Sequence, residues 1–465
     1  MKRFFPILLI SAFTAVFLLF TGCGSQGEEN EVSIKDRMDQ NYEQITQASE
    51  NAETFQVIAD SLSSWAKENN LTVKSSGEQY IVLSKAASSG YEDAEDFTFH
   101  ASVSLDTPEE KSEDLQSVSA VMTALNGARQ HGELTGIITF EKEGRPIGAS
   151  ALGKEYLNTD NFISVNDGNS TELINSIAAS SNIMASKELD MVSPRHTKAY
   201  RIVLDGTPYK SPYEHRGEYP NAIKTIGDLL ASCQSSGVLF ELASFNGGTD
   251  VDLYPRRAEA VIVLQENDVT SFTSRFENSY ENVAEYYEDL DESFEYTMTE
   301  IALPDRVIAD DDTANIVSLM YTIINGTYYR SDDDEVTAFS NIGKISTKNR
   351  SFRMQINAKS LENTIMDEMH TVFETTCGLC DVNYSELSTT GLWYVSPETP
   401  LIEALSRGMN TEPTGTLENK AASVFLDKKE DLNLVVWNTD IEDAEDNLSV
   451  ILDYMASFGE ENQQQ

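Results

Sequence analysis

Histidine is scarce in this chain, five residues in 465, and none follows His370. None has the H-E-x-x-H spacing that sets two imidazoles on one helix face, which excludes a metal site of that type. Cysteine is as sparse: beyond Cys23 there are only Cys233, Cys377 and Cys380. The lone C-G-L-C at 377–380 has no second pair and no thioredoxin-like surroundings, so it reads as a helix end bearing two half-buried thiols. Positive charge is short too, 33 Lys plus Arg against 77 Asp plus Glu, for a formal net charge of -44. That balance excludes nucleic-acid or anionic-lipid binding through a basic patch. The runs Asp310 to Asp312 and Asp332 to Glu335 lack the alternating acid spacing of a calcium loop and read as solvated loops.

One apolar run stands out, Phe4 to Phe20, following Met1-Lys2-Arg3 and followed by Thr21-Gly22-Cys23. Interrupted by Pro6, it falls short of the roughly 20 residues that span a bilayer. It has the parts of a bacterial lipoprotein signal, residues 1–22, with Cys23 as the lipidated first residue of the mature chain. The expected location is the outer, extracytoplasmic face of the cell membrane. Residues 23–36 read as a flexible tether and 461–465 as a disordered tail.

The remaining roughly 430 residues exceed the size at which one core stops growing, so two domains are expected. Phe55, Ile58, Ala59, Leu62 and Trp65 fall at helical spacing, Val118 to Leu125 is helical, and Tyr80 to Leu83, Phe97 to Leu105 and Leu134 to Phe140 read as strands. Such alternation points to an α/β sandwich with a mainly parallel sheet. A second block starts near Tyr200, with a helix carrying Ile223, Ile226, Leu229, Leu230 and Cys233, strands near Val238 to Leu242 and Ala258 to Leu264, and helices near Thr313 to Ile324 and Ser360 to Phe373. The first pattern resumes near residue 415, with strands expected at Ala422 to Leu426 and Leu434 to Trp437 and a helix from Asp443 to Phe458. The layout is one domain, 37–195 plus 413–460, interrupted by another, 196–412.

Several local motifs occur in a telling order: KAASSGYEDAEDFTFHASVSL from Lys85, HGELTGIITFEKEGRPIGA from His131, SPYEHRGEYPNAIK from Ser211 and GGTDVDLYPRRAEAVI from Gly247. Weaker echoes follow at Asn341-Ile342-Gly343, Arg350-Ser351 and Trp393. Together they resemble the zinc aminoacyl-histidine dipeptidases (peptidase D-like), which are co-catalytic dizinc exopeptidases, with this chain as a degenerate member. The resemblance implies an α/β, mainly parallel-sheet, phosphorylase/hydrolase-like domain of catalytic type, interrupted by an inserted α+β lid that often pairs subunits.

That family holds two zinc ions with two His and three carboxylates and uses a Glu as general base on the bridging water. Carried over position by position, the first His is Ser102 and its orienting Asp is Ser104. The bridging carboxylate falls at Asp114 or Leu115, with the apolar match favouring Leu115. The general base corresponds to Lys142, the adjacent ligand to Glu143, and the next ligand to Asn166. The last His has no counterpart. A Lys ammonium about 5 Å from a divalent ion is repelled by roughly 6 kcal/mol at an effective dielectric of about 20. The expectation is that Lys142 replaces the metal's charge and neutralises Glu143 and Asp114. The same resemblance implies a ligand groove at Lys210, Asp252, Arg256 and Arg350.

Three readings follow. The first is a non-catalytic, membrane-anchored homologue that binds a peptide or surface protein, without a cofactor and with a homodimer through the lid as a further expectation. The second is a diverged active metallopeptidase with a relocated zinc site, and the third a solute-binding lipoprotein.

Overall fold

The computed structural model describes residues 32–461, apart from 169, 289–292 and 440–442. The signal segment, Cys23 and residues 462–465 lie outside them. Two nine-stranded sheets organise the chain. The first runs in the spatial order 72–76, 80–85, 134–141, 97–104, 161–167, 434–439, 172–177 and 393–394, with 413–416 also on 172–177. Its four central strands are parallel, and the strands flanking them, 80–85 and 172–177, pair antiparallel. A parallel centre needs cover on both faces and therefore reads as unbroken apolar sequence. Phe97–Ser104 obeys, its first five residues all buried. One face packs on helices Phe55–Glu68, Pro108–Gly127 and Ala444–Glu461 through Trp65, Leu115, Val118, Trp437 and Leu448. The other packs Ile137, Phe162 and Val436 against Ala422 and Phe425.

The second sheet is antiparallel throughout, in the order 295–301, 198–205, 257–264, 240–247, 336–346, 351–360, 179–188 and 383–390, with 326–330 on 336–346. Helices 222–235, 310–322 and 363–379 bury Ile226, Leu230, Ile316, Met320, Met369 and Phe373 in its core. The chain leaves the first sheet between Ile177 and Ala179 and returns between Thr390 and Trp393. Both passages come earlier than the borders expected at 195/196 and 412/413. Trp393 pairs with Ile177, so exit and return lie side by side. Gly248, at a φ of 69°, packs so closely on the backbone of Gly343 that a Cβ there would meet its carbonyl oxygen at 1.8 Å.

Three local expectations are corrected. The strand expected at Ala422 to Leu426 is the helix Lys420–Lys428: Ala421, Ala422, Phe425 and Leu426 are buried at helical spacing, and Asn419 caps it by accepting from the Ala422 N–H at 2.9 Å. The expected tether is already helical from Ile34. Asp310 to Asp312 is no loop but the first turn of Asp310–Thr322, where three carboxylates meet the positive end of the helix dipole. The thiols of Cys377 and Cys380 lie at the end of Asn363–Leu379, both buried and free, and burial pushes Cys377 up to about 12, which leaves it an inert thiol. Among the described residues no helix is long and apolar enough to cross a membrane.

Candidate functional site

Strands 97–104, 134–141 and 161–167 run parallel and end on one side of the first sheet, where open α/β sheets place their ligands. A cleft lies there, against the turn 208–216 of the second-sheet region. It has two chambers of about 430 and 460 Å³ that share Glu113, Asp114, Glu141, Glu214 and Lys420. Ser102, Asn166 and Glu418 line the first; Ser104, Glu143, Lys210 and Arg256 line the second.

Charge in the cleft is organised around two lysines. Lys359, at the end of strand Ser351–Ser360, is ion-paired with Glu418, and the Ser211 hydroxyl donates to the other carboxylate oxygen. The Lys420 Nζ stands 3.8 Å from Glu418. Burial works against the Glu418 carboxylate, yet Lys359 and Lys420 hold its pKa below the usual value. Burial likewise opposes the Lys420 ammonium, and Glu418, Glu214, Glu141 and Asp252 together raise its pKa all the same. In three further carboxyls desolvation prevails. Burial pushes Asp114 well above the usual range against the pull of the Ser104 N–H, which donates to it at 2.6 Å, and Glu141, Glu110 and Glu113 add repulsion. Burial raises Glu141 too, with Lys420 and a hydrogen bond from Ser102 opposing. Glu214 lines both chambers, and desolvation raises its pKa against the pull of the Lys420 charge.

The molecule is similar to the crystal structure of aminoacylhistidine dipeptidase from Vibrio alginolyticus, with a TM-score of 0.58 and 15% identity over 91% of this chain and 96% of that one. The chain has the aminoacylhistidine dipeptidase fold. A tripeptidase from Staphylococcus aureus (TM-score 0.48, 11% identity, 92% of this chain and 99% of that one) and aminopeptidase PepT from Bacillus cereus (0.44, 12%, 92% and 99%) are also matched. No family sequence model and no curated sequence matches the chain.

On this dipeptidase fold, the expected positions separate. Ser102, Ser104, Glu143 and Asn166 all reach the cleft. Ser102 Oγ lies 3.2 Å from Thr139 Oγ1, the Ser104 hydroxyl donates to Glu110 at 3.2 Å, and the Asn166 amide donates to Asn438 at 3.3 Å. The register preference for Leu115 is corrected: Leu115 is 1% exposed in the core, and Asp114, one helical step round, faces the cleft. The role given to Lys142 is corrected as well. Successive strand residues point to opposite faces, so Glu141 enters the cleft while Lys142 is exposed and makes no ion pair among the described residues. Glu143 is neutralised by Arg145 at 3.0 Å.

Of the expected groove, Lys210 pairs with Glu110, and Arg256 lies 3.6 Å from Asp205 and over the Tyr209 ring. Both line the second chamber. Asp252 is raised by burial, with the Lys359 charge opposing. Arg350 is not brought there: it occupies the exposed turn 348–350, donating to the Leu189 carbonyl at 3.4 Å and lying 3.8 Å from Asp190. Lys359, at the far end of the strand that follows, pairs instead with Glu418 of the first chamber. Sequence reading missed Glu141, Glu214, Lys359, Glu418 and Lys420. The one available signal was the run Glu418-Asn419-Lys420, polar residues directly ahead of an amphipathic helix.

His100 is buried between Ser164 and Thr139, each 2.9 Å from a ring nitrogen, and burial lowers its pKa to about 3. It is a neutral core histidine. Among the described residues no group of three His, Cys, Asp or Glu is arranged to hold a metal ion.

Proposed function

We propose that this chain is a lipid-anchored, extracytoplasmic, non-catalytic relative of metallodipeptidases whose cleft binds a peptide or a protein segment. The observation that carries the reading is the Lys420 ammonium, held among Glu418, Glu214 and Glu141. Zinc requires imidazole, thiolate or carboxylate donors. A serine hydroxyl at 102, an amide at 166 and a fixed ammonium between the remaining carboxylates do not fit a pair of zinc ions, so no step through a metal is derived. What remains is a polar cleft with acidic walls and two cations, Lys210 and Arg256, on the opposing side. That arrangement suits a chain with main-chain amides and both charged termini. The lipid anchor at Cys23 and pairing of lids into a homodimer belong to the same reading. The return of strands 393–394, 413–416 and 434–439 to the first sheet favours an interrupted-domain relative over a two-lobed solute receptor.

The test is metal analysis of the purified protein together with turnover of an aminoacyl-histidine dipeptide, with and without added zinc or manganese. Substoichiometric metal and no turnover are expected. Bound metal with chelator-sensitive hydrolysis would establish an active, diverged metallopeptidase instead.

A further inference from the structure

A second cavity, of about 660 Å³, opens between helices Ala222–Ser235 and Val269–Glu288 and strand Gly326–Arg330. It shares only Arg216 with the first cleft chamber and nothing with the second. Its charge runs against the rest of the molecule. In a chain of formal net charge -44, Arg216, Lys224, Arg275 and Arg330 line it against a single carboxylate, Asp228. Lys224 takes up that carboxylate at 2.5 Å.

The three guanidinium groups are held by carbonyl and hydroxyl oxygens rather than by close carboxylates. Arg216 donates to the Tyr213 carbonyl and Arg275 to the Ser232 hydroxyl at 3.0 Å, and neither has a carboxylate within ion-pair distance among the described residues. Arg330 donates to the Asp334 carbonyl at 2.7 Å, and its nearest carboxylate is that of Asp334 at 3.7 Å, an 88% exposed side chain. Desolvation and the nearby Arg330 push the pKa of Arg216 down, and the more distant carboxylates of Glu214 and Glu335 oppose this without reversing it. Around them the lining is polar and neutral. Asn278 and Asn282, one turn apart on the same face as Arg275, make no side-chain hydrogen bond among the described residues, and Tyr254 and Tyr286 close the wall.

We propose that this cavity binds a small organic anion carrying at least two carboxylates, or a phosphate, through Arg216, Arg275 and Arg330. Guanidinium groups grip both kinds of oxyanion with paired hydrogen bonds. The volume suits a ligand of metabolite size, and the free amides and tyrosines supply contacts for its polar body. The site adjoins the peptide cleft at Arg216 alone, and the proposal does not rest on the peptide-binding reading.

Calorimetric titration of the full-length protein at low salt with citrate and with pyrophosphate tests it. At least one probe is expected to bind, with affinity lowered tenfold or more in Arg216→Gln and in Arg330→Gln and unchanged in Lys348→Gln on a distant turn. Preference for citrate would assign a polycarboxylate, and preference for pyrophosphate a phosphate compound. Arg330 is 49% exposed, so its variant tests the site even where Arg216→Gln is poorly folded. Failure of both probes to bind, or wild-type affinity in Arg330→Gln, overturns the proposal.

Discussion

Lys359 and Glu418 form an ion pair between the two sheet regions, with side chains 10% and 3% exposed, and the Lys359 ammonium also lies 4.1 Å from the centre of the Tyr213 ring. Removing one partner of such a pair strands the other charge away from water. Lys359→Met is therefore expected to lower unfolding free energy by about 3 kcal/mol, the lower end for a broken buried pair because Lys420 stays near Glu418. Lys359→Met combined with Glu418→Gln should lose less. Denaturant titration of both variants checks this; a double variant as unstable as the single one contradicts it.

Lys420, not Lys142, is the lysine set among the buried carboxylates of the cleft. Lys142→Glu is expected to change stability by no more than about 0.5 kcal/mol and to bring no stoichiometric zinc. Lys420→Met should cost about 3 kcal/mol by leaving Glu418, Glu214 and Glu141 short of a counter-charge. Thermal unfolding and metal analysis decide between the two lysines.

Asp114 and Glu141 are both held above the ordinary carboxyl pKa. Between the ordinary value and the raised one the folded chain binds protons that the unfolded chain does not, so these two groups contribute stability that grows as pH falls through their raised values toward the ordinary carboxyl range. In Asp114→Asn with Glu141→Gln this rise should be smaller, and stability near pH 8 higher. Urea midpoints measured from pH 8 to 5 test it; parallel curves for wild type and variant rule it out.

His100 acts with the opposite sign. Its folded pKa of about 3 lies below the unfolded value of 6.5, so below 6.5 only the unfolded chain takes up the proton. Stability is lost from that point at up to about 1.4 kcal/mol per pH unit. His100→Gln, which keeps a partner for Thr139, is expected to flatten this limb in the same urea series.

Gly248→Ala should cost about 1 to 3 kcal/mol, because the added methyl meets the Gly343 carbonyl and the residue already has a positive φ. Gly237→Ala has a positive φ but open space, and should cost less. Similar losses at both sites, measured by thermal unfolding, would assign the effect to backbone conformation alone.

The central strands were legible in sequence because parallel strands covered on both faces must be apolar, and Phe97–Ser104 and Leu134–Glu141 announce themselves that way. The helix Lys420–Lys428 was misread because a nine-residue element dense in Ala, Val, Phe and Leu fits a strand as well as a helix until its cap is seen. In the site, a local motif located Ser102 and Ser104 and the order of the family's ligands located Asn166, all toward the ends of strands. Lys359 and Glu418 stand 59 residues apart. Only the three-dimensional arrangement makes them partners, and no spacing rule connects a strand end in one sheet with a loop of the other. Lys142 misled for a geometric reason, since one step along a strand turns a side chain to the opposite face.

The pairing of Trp393 with Ile177 has a mechanical consequence. The whole inserted region hangs from two neighbouring, hydrogen-bonded strand ends, so any swing of it against the first sheet must pivot about that double stem, and the direction in which the cleft can gape is set by where the stem stands.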